Sequence, residues 1–103
     1  MPKNYRSYEE SLNKALTKPR EAAEYLSACL EGGSREVFLL GLRQVAAAHG
    51  VSRVAADSQL GRESLYRALS QKGNPKLETL LRVLDTAGLK LAVMPKSPKR
   101  RAA

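Results

Sequence analysis

Glycine and proline divide this chain into segments of helical length, and that punctuation limits its fold more than any other feature. Between the breaks, apolar residues recur at the three- and four-residue spacing of an α-helix. Most of these apolar residues are Ala and Leu, which favour helices, and β-branched residues are sparse. The breaks stand at Pro19, Gly32-Gly33, Gly50, Gly73-Asn74-Pro75 and Gly88. Together these features predict an all-α fold.

The breaks also predict where helices begin and end. We expect helical segments at about 7–16, 19–31, 34–49, 53–58, 62–70 and 76–87. Pro19 suits a first helical position, where a missing N–H costs nothing, and Ser34 suits an N-cap. Before the last helix, Gly73 is expected to supply a left-handed turn, Asn74 the N-cap and Pro75 the first helical position. The last helix should turn five residues inward: Leu77, Leu80, Leu81, Val83 and Leu84.

The run from Leu89 to Met94 alternates imperfectly, which makes it a candidate edge strand that would pair with its symmetry mate in a dimer. Beyond it, residues 95–103 form a basic tail that is expected to be disordered. The Lys and Arg residues of this tail either contact nucleic-acid phosphates without sequence specificity or only increase the solubility of the protein. We therefore expect one domain, residues 1–94, with N-terminal helices over 7–49 and the tail attached.

The positive charge of the chain lies in its second half. There are 18 Lys and Arg against 10 Asp and Glu, a net charge of +8. Residues 50–103 hold eleven of these basic residues and only four of the acidic ones. Such a surface suits a polyanion, because phosphates neutralised by Lys or Arg release bound counterions. Nucleic acid is the first candidate and an acidic membrane the second, while simple solubility remains an alternative.

The remaining composition excludes several other classes of function. Cys29 is the only cysteine and His49 the only histidine, which disfavours a metal site or a Cys-His nucleophile. No signal peptide or membrane span is visible, so a cytoplasmic protein is expected. The glutamates of the N-terminal half are better explained as solvent-exposed residues on helix faces than as acid-base catalysts. Contact with a basic partner protein is the alternative role for them. We expect no enzyme and no cofactor.

The segment from 53 to 70 shows the pattern of two short helices that cross at a tight turn. Ala55 is small enough to let the second helix approach, Leu60 fills the turn, and Leu65 and Leu69 anchor the second helix. This pattern predicts a helix-turn-helix, the motif that places its second helix in the major groove of DNA. An ordinary helical hairpin with a solvated charged face is the structural alternative.

The outward residues of the second helix are the candidates for reading bases. Arg62 and Arg67 suit guanine O6 and N7, and Glu63 suits the amino group of cytosine. Ser64 and Tyr66 complete this face, although Tyr66 would equally pack on its neighbours. The candidates for phosphate contact flank the two helices: Ser52, Arg53, Ser70, Lys72, Asn74 and Lys76.

The segments YEESL, RESLYRALS and GNP, followed by a Leu-rich helix that ends in GLKL, resemble a known family. They are similar to the antidote proteins of bacterial addiction (toxin-antitoxin) modules, a HigA-like group, from Tyr8 to about Leu91. Two positions depart from that family, which commonly has Gly in the turn and Ser as cap of the second helix. Here Gln59 and Gly61 stand instead, and Gly61 is expected to absorb the strain of the turn.

The resemblance implies a fold related to phage repressors, a dimer that binds its own promoter, and neutralisation of a RelE-like toxin encoded beside it. We accordingly predict a five-helix, repressor-like helix-turn-helix domain with an N-terminal helical extension. It would act as a homodimeric antitoxin on operator DNA in the cytoplasm, associated with the nucleoid when bound. Two alternatives stay open: a solitary prophage-type repressor without a toxin, and a protein-interaction module with incidental DNA binding.

Overall fold

The computed structural model describes residues 3–57, 60–70 and 72–96, with side chains from residue 7 onward. Its helices are α1 (Lys3–Leu16), α2 (Pro19–Glu31), α3 (Arg35–His49), α4 (Val51–Asp57), α5 (Arg62–Ala68) and α6 (Leu77–Thr86). The expected domain had five helices and an N-terminal helical extension, and the described ranges form six helices in all. They contain no strand, so the all-α prediction is confirmed.

Several helix ends follow the local chemistry that the sequence predicts. Pro19 occupies the start of α2. The Ser34 hydroxyl accepts a hydrogen bond from the Val37 N–H at 3.2 Å and caps α3. Gly50 ends α3 with φ +93°, a left-handed conformation that favours glycine. These caps fix the bounds of the central helix α3.

Helix α3 lies at the centre of the fold. It packs against α1, α2, α4 and α6, while α5 packs on α4. Apolar residues therefore line more than one side of α3, although Val37 and Leu40 stay exposed. The buried apolar core is formed by Leu16, Ala22, Leu26, Leu39, Leu42, Val45, Ala46, Val54, Ala55, Leu65, Leu69, Val83, Leu84 and Ala87.

Helices α2 and α3 approach each other closely at Gly41. A Cβ atom on this buried glycine would lie 2.9 Å from the Cys29 Sγ and 3.1 Å from the Leu26 Cδ2. Beside this contact, the Tyr25 hydroxyl donates to the Gln44 Oε1. Burial raises the pKa of the Cys29 thiol. The pKa of the Tyr25 hydroxyl is also raised, mainly by burial and to a smaller extent by the nearby Cys29 and Tyr8 side chains.

The start and the buried face of α6 differ from the sequence prediction. The N-cap is Lys76, with φ −72° and no side-chain cap bond, so Asn74 is not the cap. Val83 and Leu84 are buried and Leu80 is half-buried, whereas Leu77 and Leu81 are exposed. The reason is that α6 packs against α3 and α4 on one side only, which covers a narrower stripe than expected.

The expected strand over Leu89 to Met94 is not formed. The Leu89 N–H donates to the Leu84 carbonyl at 2.8 Å, and the following residues have no regular secondary structure, with Leu91, Val93 and Met94 exposed. A strand requires a partner for its backbone groups, and the described ranges offer none. Pairing with a second copy stays a prediction, and residues 97–103 of the predicted tail lie outside the described residues.

Two further contacts join helix ends in the part of the fold that does not include α5. The His49 Nε2 lies 3.2 Å from the Leu16 carbonyl oxygen and so joins the end of α3 to the end of α1. Gly88, at φ +80°, follows α6, and a Cβ there would lie 3.2 Å from the Pro19 Cγ. The end of α6 thus lies directly against the start of α2.

Candidate nucleic-acid interface

Helices α4 and α5 form the pair that the sequence pattern predicted. Val54 and Ala55 of α4 are buried, and so are Leu65 of α5 and Leu69 just after it. The small side chain of Ala55 lets α5 approach α4 closely. The Leu60 N–H donates to the Ala55 carbonyl at 3.0 Å, and the half-buried Leu60 side chain packs on the core. The apolar side of α5 is thereby fixed against the rest of the molecule.

Fixing that side turns the polar residues of α5 outward. Arg62, Glu63, Ser64, Tyr66 and Arg67 are all exposed, while Leu65 is 1% exposed. Four-residue spacing places Arg62 beside Tyr66 and Glu63 beside Arg67 on the helix surface. The five candidates for base reading therefore share one continuous polar surface, which we call the α5 face. It offers guanidinium and hydroxyl donors together with one carboxylate acceptor.

The flanking candidates occupy both sides of this pair of helices. Ser52 and Arg53 are exposed in the first turn of α4. After α5, Lys72, Asn74 and Lys76 are exposed as well. Ser70 differs from them, because it is half-buried and its hydroxyl donates to the Arg67 carbonyl at 2.8 Å. Ser70 thus stabilises the end of α5 rather than presenting a free hydroxyl.

One residue near this surface was missed by sequence reasoning. Arg35, at the start of α3, donates through Nη2 to the Gly73 carbonyl and, at 3.3 Å, to the Asn74 Oδ1. These bonds hold the loop that carries Lys72 and Asn74, and they leave the Asn74 amide N–H groups free to donate. Arg35 is far from this loop in the sequence, and no local pattern connects the two.

Gly73 is needed for space and not for a left-handed turn. Its φ lies outside the positive region, which corrects the sequence prediction. A Cβ there would lie well inside contact distance of the Ala68 carbonyl oxygen and 2.6 Å from the Arg67 carbonyl oxygen. The loop therefore folds tightly back on the end of α5, an approach that only glycine allows.

Gly61 also differs from its predicted role. It is the N-cap of α5 with φ −75°, an ordinary extended conformation, and no atom lies near its missing Cβ. It therefore absorbs no strain of the kind that we expected. Gln59, which stands where the similar family commonly has Gly in the turn, lies outside the described residues.

Hydrogen bonds from α6 hold the C-terminal end of α4. The Thr86 hydroxyl donates to the Asp57 Oδ2 at 3.1 Å, and the Arg82 Nη1 donates to the Asp57 carbonyl at 3.4 Å. Arg82 also pairs with Glu78 at 3.4 Å. These bonds fix the end of α4 immediately before the turn and so restrict the orientation of α5.

Among the residues that the structure describes, no group of three or more His, Cys, Asp or Glu side chains is placed to hold a metal ion. None of the helices in the described ranges has the length and apolar character to cross a membrane.

Comparison with known proteins identifies the family. The family model described as "Probable addiction module antidote protein" matches residues 8–95. The chain belongs to this family. The antidote is also 36% identical over 78 residues to a Haemophilus influenzae protein named "Uncharacterized protein", a match that covers 76% of this chain and 80% of that protein. No solved structure matches it.

Membership in the antidote family confirms the resemblance at its coarser level. It implies a toxin as partner, and it indicates a regulatory protein rather than an enzyme. The family description does not mention DNA, a class of toxin or a dimer. Those finer functions depend on the geometry of the α5 face and its surroundings.

Proposed function

We propose that this antidote is a sequence-specific DNA-binding regulator, the antitoxin of a type II toxin-antitoxin module. It binds operator DNA as a homodimer, represses its own operon and neutralises a RelE-like toxin in the cytoplasm. The observation that carries the DNA-binding role is the α5 face. Five adjacent polar side chains project from a short helix whose apolar side is fixed by Leu65 and Leu69.

On this proposal the α5 face enters the major groove. Arg62 and Arg67 donate to guanine O6 and N7, and Glu63 accepts from the cytosine amino group. Ser64 and Tyr66 make further contacts with base edges or with the thymine methyl group. Good bidentate pairs discriminate between bases by about 1–3 kcal/mol each, which is enough to create sequence preference.

The flanking residues would set the register of the protein on the duplex. Arg53, Lys72 and Lys76 supply positive charge, and Ser52 and the Asn74 amide supply neutral donors to phosphate oxygens. Ser70 was proposed for the same role, but its hydroxyl bonds to Arg67, so its contribution is indirect. Phosphate contacts of this kind make binding depend strongly on salt.

A homodimer would double the protein surface in contact with DNA. One helix-turn-helix buries limited surface on DNA, whereas a two-fold dimer doubles the contacts over half-sites about one helical turn apart. Leu77 and Leu81, which lie four residues apart on α6, support this part of the proposal. They are 60% and 42% exposed and would be covered in a symmetric pair.

The test is a fluorescence-anisotropy titration of the antidote against its own upstream DNA and a scrambled duplex, at about 50 and 200 mM salt. The wild-type chain should prefer upstream DNA at both salt concentrations. Replacing both arginines, Arg62→Ala with Arg67→Ala, should weaken upstream binding by about tenfold or more and abolish the preference.

The matched control is the double variant Lys14→Ala with Arg20→Ala. It removes the same amount of positive charge from α1 and α2, away from the α5 face. Both residues are exposed, on α1 and α2. This control should keep the preference for upstream DNA. If the two double variants bind equally well and keep the same preference, the α5 face does not read bases.

A second candidate function is that of a protein-interaction module whose DNA binding is incidental. The family match supports this candidate, because the family description names an antidote, a role that depends on binding another protein. Under this alternative the wild-type chain binds both duplexes equally, and higher salt removes the binding. Toxin neutralisation would then survive the loss of Arg62 and Arg67.

A further inference from the structure

A shallow groove of about 310 Å³ lies between α1 and α2. The floor comes mainly from α1, where Leu16 is buried and Leu12 and Ala15 are half-buried. The rim comes from α2 and carries two exposed carboxylates. The lining residues are Leu12, Ala15, Leu16, Glu21, Glu24 and Tyr25.

One tyrosine lines this α1/α2 groove, and a second lies one helical turn before one of its lining residues. Tyr8 lies one turn before Leu12 on α1 and is 65% exposed. Tyr25 lines the groove, and its hydroxyl is held by Gln44, which limits the motion of the ring. Exposed or half-buried tyrosines beside apolar side chains are typical of residues that contribute strongly to protein-protein binding.

The lining of the groove is acidic, although the chain carries +8: it includes Glu21 and Glu24 and no Lys or Arg. Residues 3–31, which span α1 and α2, are neutral overall, with five Glu against five Lys and Arg. Within the part of the chain that the structure describes, the ion pair of this region joins Lys18 and Glu21 at 3.7 Å, and Glu24 has no such partner. Glu24 also lines a second shallow depression along α2 that extends to Glu31. DNA would be repelled here, whereas a basic protein segment would be attracted.

The groove is remote from the α5 face in the packing of the fold. Helices α1 and α2 pack on each other and on α3, whereas α5 packs on α4. A partner confined to the groove between α1 and α2 therefore does not contact Arg62 or Arg67.

We propose that the α1/α2 groove binds the toxin, through a segment that places Lys or Arg side chains beside an apolar side chain. The apolar group rests on Leu12 and Ala15, and the basic groups face Glu21 and Glu24. This assignment rests on the proposed antitoxin function, and it specifies which surface performs the neutralisation. Charge complementarity at this site raises the association rate and selects a basic partner.

The test uses the product of the gene adjacent to that of this chain, purified and titrated with the antidote by calorimetry. Glu21→Gln with Glu24→Gln should raise the Kd by about tenfold or more at low salt, since close interfacial charge pairs contribute that much. Tyr8→Ala should weaken binding independently of salt. Each variant replaces only exposed side chains, and circular dichroism should show an unchanged helix content.

The matched control is Glu36→Gln with Glu78→Gln, which removes the same charge from exposed positions on α3 and α6. It should leave the Kd within about twofold of wild type. If Glu21→Gln with Glu24→Gln binds as the control does, the groove is not the toxin site, although the antitoxin function stands. If the wild-type chain itself neither binds nor neutralises that product, both proposals fail.

Carbodiimide cross-linking identifies the occupant directly, because the reagent joins carboxylates only to amines in contact with them. Mass spectrometry should find Glu21 or Glu24 joined to a lysine of the toxin. A cross-link from these glutamates to Lys99 of the same chain, or to a second copy of the antidote, in place of the toxin would overturn the assignment.

Discussion

At the scale of single residues, Gly73 is the position where a small change should have the largest effect. Gly73→Ala would drive a Cβ into the carbonyl oxygens of Arg67 and Ala68, and backbone atoms cannot move aside as side chains do. We expect a loss of stability of about 2–3 kcal/mol, the upper part of the usual range for overpacking. Urea denaturation followed by circular dichroism measures it.

Gly61→Ala is the control for this substitution. Gly61 has φ −75° and open space around its missing Cβ, so alanine should change the stability by less than about 1 kcal/mol. Equal urea midpoints for the two variants would show that the loop after α5 does not pack as described.

The sequence predicted which residues of α5 are exposed, because alternation between polar and apolar residues in one helix is a local property. It did not predict the bonds from Arg35 to Gly73 and Asn74, which join residues far apart in the chain. It also assigned Gly73 to a left-handed turn, since a glycine required for backbone conformation and one required for space look the same in sequence.

At the scale of helices, the contact between α2 and α3 depends on the absence of a side chain at Gly41. Gly41→Ala should destabilise the protein by about 1–2 kcal/mol, even though alanine favours helices, because the new Cβ meets the Cys29 sulfur. Adding Cys29→Ala removes the sulfur and should restore about 1 kcal/mol.

A double-mutant cycle with thermal and urea unfolding checks this contact. The single variant Cys29→Ala gives the change in unfolding free energy that results from losing the cysteine side chain alone. If the two substitutions prove additive, the methyl group introduced by Gly41→Ala does not meet Cys29, and the described close approach of α2 and α3 is wrong.

Helix bounds were predicted within a few residues, since caps and breaks such as Pro19, Ser34 and Gly50 act locally. The buried face of α6 was predicted too broadly. A leucine at position 77 or 81 has the same periodicity whether another helix covers it or not. The strand expected over Leu89 to Met94 is not formed in the single chain for a related reason, because pairing depends on a partner that the residues themselves do not specify.

At the scale of the whole molecule, the positive charge is concentrated in the second half of the chain, which carries α5. Residues 50–103 hold eleven Lys and Arg against four Asp and Glu, whereas residues 3–31, which span α1 and α2, hold five of each sign. Lys72→Ala with Lys76→Ala should therefore reduce the salt dependence of DNA binding and not its sequence preference. If each lysine contacts one phosphate, the slope of log K against log salt should fall by about 0.9 per lysine.

Anisotropy titrations over a salt series measure that slope. Lys14→Ala with Arg20→Ala should leave the slope unchanged, since these residues lie on α1 and α2. A similar fall in both variants would mean that DNA responds to net charge alone and not to a defined phosphate path.

Gly88 lies against Pro19, and the core residues Val83, Leu84 and Ala87 come from the same late part of the sequence. During translation, α1 and α2 therefore leave the ribosome before the residues that cover them have been made. The helices can form early, but the core closes only when α6 and Gly88 have been synthesised. We therefore expect each newly synthesised chain to expose apolar surface until α6 has been made, and a chain truncated before Gly88 to be more sensitive to proteases than the full-length chain.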